Sequence, residues 1–186
     1  MRTQKMALKA FIWKDRDSLI EHLLPVQQIS VESYKEQSAV QSKILVGLGS
    51  YWKGRKPLFL NKACILGCLL PTSVQNDELE FLEGEERTKA LRKDLEIYEM
   101  LMGMDSESLE KRLKSKLKVA DHATIKEDWL DKPYREQVSK ASRPEEMKAE
   151  DLFSHVWPQV NAHLGTSAFS FPELVEQLGI ARFGRR

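Results

Sequence analysis

Between Gly47 and Pro57 the sequence reads GLGSYWKGRKP, with three glycines, two aromatic rings and three cations in one short stretch. These residue types suit phosphate and nucleobases. A glycine-rich turn can present backbone N–H groups to an anion, and Arg55 can hold a phosphate in a bidentate fork, with Lys53 and Lys56 as flanking point charges. Tyr51 and Trp52 offer flat faces on which a base can stack, a contact worth about 1–3 kcal/mol. The same composition also suits a solvated loop whose Trp52 fills a neighbouring apolar gap, so both readings stand. The surrounding charge is segregated: no Asp or Glu occurs between Glu36 and Asp77, while Lys43, Lys53, Arg55, Lys56 and Lys62 supply five positive charges on a chain of net charge +1.

Other chemistry is sparse. Cys64 and Cys68 are the only cysteines, four apart in an apolar run, and read as two thiols packed in the core of a protein from a reducing compartment. His22, His122, His155 and His163 are scattered and no CxxC or HxxxH spacing occurs, so no metal is expected. No P-loop, GxSxG elbow, HExxH or glycine-rich dinucleotide fingerprint is present. Asp131-Lys132-Pro133-Tyr134 is similar to the Asp-Pro-Pro-Tyr loop of amino-methylating DNA methyltransferases, but Lys132 replaces the ring that shapes that loop, and the preceding IKEDWL is charged and helical.

The elements that must position these residues read as mainly α: one domain of about seven to nine helices, with room for two small lobes and a short strand or extended arm over Leu8–Trp13. Asp17 or Ser18 caps a short helix ending before Pro25, and Ser30 is expected to cap a second helix over Val31–Leu48 that runs into the basic segment. Pro57 opens a helix over Leu58–Leu70, apolar nearly all round and expected at the centre, whose positive N-terminus points back at the basic segment and would welcome phosphate. Asn76–Glu86 carries six acids and reads as a solvated connection or the exposed start of the next helix. Helices follow over Thr88–Met102, closed by Gly103, and over Ser108–Val119, capped by Ser106. In the latter Lys111, Arg112, Lys114, Lys116 and Lys118 crowd the surface, either as a second basic face or as plain solvation. The remainder is helical over Ile125–Val138, Glu145–Leu164 and Phe171–Leu178, and Pro158 should kink or restart the middle segment.

With 41% hydrophobic and 31% charged residues, no bilayer-spanning apolar run and no secretory leader, the chain reads as soluble and cytoplasmic, with no membrane partner. The runs LLPVQQISVESYKEQ (Leu23–Gln37), GLGSYWKGRKPLFLNKACILGCLLP (Gly47–Pro71) and DLEIYEMLMGM (Asp94–Met104) resemble the N-terminal domain of unknown function of large adenine-specific DNA methylases of the type associated with anti-phage defence. FPELVEQLGIARFGRR (Phe171–Arg186) is similar to the lead-in to the methylase domain of that family. The resemblance implies the front portion of a longer enzyme, inactive alone. It implies no catalytic or cofactor-binding residue on this chain, S-adenosylmethionine as cofactor of the full-length relatives, and DNA and the missing catalytic domain as partners. The nucleic-acid-binding residues would be Lys43, Tyr51, Trp52, Lys53, Arg55, Lys56 and Lys62. The alternative is a protein–protein docking domain for the catalytic domain or another defence component, motivated by an apolar segment containing Phe153, Val156, Trp157, Phe169, Phe171 and Leu174 that would be partly bare without the rest of the enzyme.

Overall fold

The computed structural model describes residues 16–41, 58–74, 76–117, 129 and 131–184, and among these it is mainly α, with no β-strand. In chain order the helices are α1 (Leu19–His22), α2 (Val26–Gln41), α3 (Leu58–Leu69), α4 (Asn76–Glu80), α5 (Gly84–Ala90), α6 (Arg92–Met102), α7 (Ser106–Lys114), α8 (Tyr134–Lys140), α9 (Ala149–Phe153), α10 (Val156–Leu164) and α11 (Phe171–Phe183), with a 3-10 turn at Pro144–Glu146 before α9. The arm expected over Leu8–Trp13 lies outside the described residues. No helix among them is long and apolar enough to cross a membrane.

The start and stop signals explain most boundaries. Ser18 caps α1 together with Glu21, and Ser170 caps α11 by accepting the Glu173 N–H. The helix expected from Val31 begins instead at Val26, directly after Pro25, whose carbonyl accepts the Ile29 N–H at 3.0 Å. Ser30 is therefore interior, and its hydroxyl donates back to the Val26 carbonyl at 2.7 Å. In α7 the cap is Asp105 rather than Ser106: its carboxylate accepts the Ser108 N–H at 3.1 Å. The acid-rich stretch forms two short helices, α4 and α5. Pro158 stands in the first turn of α10, where its missing N–H costs no helical bond, so the segment restarts there.

α3 is not buried all round. Phe59, Ala63, Leu66 and Leu70 are buried along one stripe, while Leu58 and Ile65 are exposed. Cys64 and Cys68 are exposed free thiols, not core residues. At about 3.6 residues per turn both cysteines fall on the side of the helix opposite Phe59, so the i,i+4 spacing that pairs them also turns both outward.

The described residues form two compact units. In the first, residues 16–24, 66–101 and 154–184, the apolar core includes Leu19, Leu79, Leu91, Tyr98, Val160, Leu174 and Leu178. Asp94 is buried there and accepts the Ser73 N–H and hydroxyl at 2.8 and 2.9 Å and the His163 Nε2–H at 2.7 Å. Gly67 is required by close approach, since a Cβ at that position would come within 3.2 Å of Ile20 and Leu24.

The second unit, formed by the described residues within 25–65 and 102–153, is organised around a buried charge. Leu109, Leu113, Trp129 and Val138 form its apolar cluster, with Val31, Leu117 and Tyr134 packed against it. Arg112 is fully buried on the same side of α7. Its guanidinium donates to the Ser142 carbonyl (2.7 Å), to the Gly103 carbonyl (2.8 Å) and to both Glu32 carboxylate oxygens (2.7 and 2.8 Å). The Tyr134 hydroxyl donates to Glu32 at 2.9 Å, and burial together with that carboxylate pushes the phenol well above its usual range. Gly103 takes φ +69° to turn the chain after α6, the left-handed conformation that glycine adopts without strain. Replacing Arg112 with Met should cost about 3–5 kcal/mol, because Glu32 would stay buried without its cation. An Arg112→Met/Glu32→Leu pair should lose much less, and urea denaturation of the two variants beside the parent chain checks the difference.

Candidate functional site

Lys43, Tyr51, Trp52, Lys53, Arg55 and Lys56 lie outside the described residues; Lys62 lies within them, on α3. What is described is how the basic segment is bounded. Before it, α2 carries Glu36, the last acid ahead of the acid-free window. Beyond it, α3 starts at Leu58, and the Glu36 carboxylate accepts the Leu58 N–H at 2.9 Å and the Phe59 N–H at 3.0 Å. The first N–H groups of α3 therefore already hold an anion supplied by the chain itself. The expectation that this helix end awaits a phosphate is corrected: a carboxylate reaching across 22 positions of sequence occupies it.

Lys62 sits one turn further along. Its ammonium lies 4.7 Å from the centroid of the Phe153 ring, a cation–π contact. Burial lowers its amine to about 7, with Glu145 pulling weakly in the opposite direction. Near neutral pH this group is thus divided between amine and ammonium, whereas an exposed lysine would be fully charged.

The second basic face expected on α7 does not form as such. Arg112 is inside the unit, and Lys111 and Lys114 pair with Glu107 and Glu110 one turn away. Lys118 lies outside the described residues. The position of Arg112, three after Leu109 and one before Leu113, puts it on the apolar stripe, and this was the signal in the sequence that it points inward. The capping role of Glu36 had no comparable signal, because its partners are distant in sequence.

The polar clusters of the first unit are structural in their geometry. In Ser73–Asp94–His163 both the hydroxyl and the imidazole donate to the carboxylate, so the histidine does not face the serine and cannot take its proton. Asp17 is held by Asn76 and by His22 at 2.7 Å in a turn-closing arrangement. Among the described residues no group of three or more His, Cys, Asp or Glu side chains is placed to hold a metal ion. Tyr134 of the DKPY sequence is likewise committed, to Glu32. The apolar segment expected to be partly bare is mostly covered: Phe153, Val156, Trp157 and Leu174 are buried, and Trp157 meets Phe171 edge-on at 5.4 Å. Phe169 alone of that set is exposed.

The Lys62 amine has a stability consequence of definite sign. Its folded value of about 7 lies below the ordinary 10.5, so between those values the unfolded chain binds the extra proton. Stability should therefore rise with pH from about 7 toward 10.5. Lys62→Met should flatten that part of the curve, as read from thermal midpoints across the range. Lys35, lowered to about 8 chiefly by burial, contributes a residual slope of the same sign in both proteins.

Residues 23–101, a stretch holding α2, the basic segment and α3 to most of α6, match the model of a family described as a protein of unknown function (DUF1156). No curated protein and no solved structure matches the chain. The chain is thus similar over this stretch to a family whose description assigns no activity.

Proposed function

We propose that this chain is a non-catalytic module that engages DNA through the basic aromatic segment, as the N-terminal portion of an adenine-specific DNA methylase. The observation that carries the reading is the charge arrangement. Five cations and no acid lie between Glu36 and Asp77 in the sequence, and the bordering carboxylate, Glu36, accepts the first N–H groups of α3. Lys53, Arg55 and Lys56 contact phosphates, with Lys43 adding to the field and the buried, partly neutral Lys62 left out of it, and Tyr51 and Trp52 stack on a base or wedge against the duplex. The resemblance of Leu23–Gln37, Gly47–Pro71 and Asp94–Met104 to the methylase N-terminal domain supports the assignment to that enzyme class.

The sequence carries no glycine-rich cofactor fingerprint, so S-adenosylmethionine is assigned in this reading to the full-length enzyme and not to residues of this chain. Methylation would belong to another part of a larger protein.

Phosphate contacts release counter-ions, so affinity through them must fall steeply with salt, whereas docking through apolar surface should not. Fluorescence anisotropy with a short labelled duplex and the matching single strand, at low and moderate salt, tests the reading. Salt-sensitive binding that is lost in Arg55→Ala/Lys56→Ala is expected. Absence of binding at low salt, or binding indifferent to both salt and the substitutions, would overturn DNA engagement and favour the protein-docking module.

A further inference from the structure

Within the second unit, a groove of about 520 Å³ lies along α2 and α8, in the size range of small-molecule sites. Its apolar floor is Val31 and Val138, and Tyr34 stands beside them with most of its surface exposed. Two cations line it. Lys35 donates to the Val138 and Ala141 carbonyls at the C-terminal end of α8, tying that helix to α2. Arg135 is exposed at the rim and makes no hydrogen bond or ion pair among the described residues. Among the described residues no carboxylate lines the groove. The serine hydroxyls at its edge already donate to backbone carbonyls, Ser30 to Val26, Ser38 to Tyr34 and Ser139 to Glu136, which leaves their oxygens free to accept.

These features specify a ligand by its parts. A free guanidinium in a wall without acids calls for an anion, held in a fork. An exposed phenol ring over an apolar floor calls for a flat ring to stack on it. Serine oxygens that can only accept call for ligand hydroxyl or amino donors. A single aromatic acid has the anion and the ring but few donors, and it underfills the volume. We infer that the α2–α8 groove is a binding site for a nucleoside monophosphate, with the base on Tyr34, the phosphate on Arg135, and sugar or exocyclic donors on the serine oxygens. The described lining residues are other than those of the DNA reading, and the inference does not rest on that reading.

Adenosine 5′-monophosphate is the probe, titrated into the full chain labelled with ¹⁵N. The shifted amides should cluster on α2 and α8, and adenosine alone and inorganic phosphate alone should each bind at least about tenfold more weakly, since each lacks one of the two anchors. Tyr34→Ala and Arg135→Glu should each weaken the nucleotide by at least about tenfold while leaving the rest of the spectrum in place, because both side chains are exposed. Absence of binding at millimolar nucleotide, shifts elsewhere in the chain, phosphate binding as tightly as the nucleotide, or unchanged affinity in both variants would each overturn the site. Arg55→Ala/Lys56→Ala should leave this titration unaltered, so failure of the DNA reading and failure of this one are distinguishable.

Discussion

The second unit depends on one buried cation. Burying a guanidinium is unfavourable unless its donors and charge are both met, and Arg112 meets the condition only when four parts of the chain converge: Glu32 from α2, the Gly103 turn, α7 itself and the Ser142 backbone. The penalty of leaving any partner out acts as a positional constraint. Apolar residues such as Leu109, Leu113 and Val138 fill the remaining space without demanding a particular register. The ion pair supplies that demand, and Tyr134 and Lys35 extend it by fixing α8 to α2 through a carboxylate and two carbonyls.

The same logic recurs on a smaller scale in the first unit. Buried Asp94 collects donors from Ser73 and His163, residues far from it in sequence, and so fixes the loop after α3 and α10 to α6. In both units the polar residues that look most able to do chemistry, an aspartate with a serine and a histidine, or an arginine with a glutamate and a tyrosine, have their hydrogen-bonding capacity taken up by positioning. Among the described residues, the groups left uncommitted are Arg135 and Tyr34 at the α2–α8 groove. Function is most economically sought where polar capacity is unfilled.

Glu36 serves a helix end distant from it in sequence: the acid that borders the acid-free window is held by the first N–H groups of α3, which gains its anion from within the chain. Lys62, on the same helix, lies over Phe153 and is drawn partly out of its charged state by burial.

The sequence by itself determined the mainly α class, a cap for α1 at Asp17 or Ser18, the restart at Pro158 and the turn at Gly103, because each follows from backbone chemistry that a residue and its near neighbours impose. It also determined the segregation of charge, which needs no fold to be read. Only the tertiary structure decided which face of α3 is buried, and with it that Cys64 and Cys68 face outward, because apolar content alone does not say how many neighbours a helix will have. It alone decided that Arg112 is internal, since a charge on an apolar stripe is tolerable only if distant partners arrive. The helix start at Val26 went the same way: Ser30 is the expected cap, and the helix instead begins directly after Pro25. Local signals set what each segment can be, and long-range pairing of buried charge set which of those options was kept.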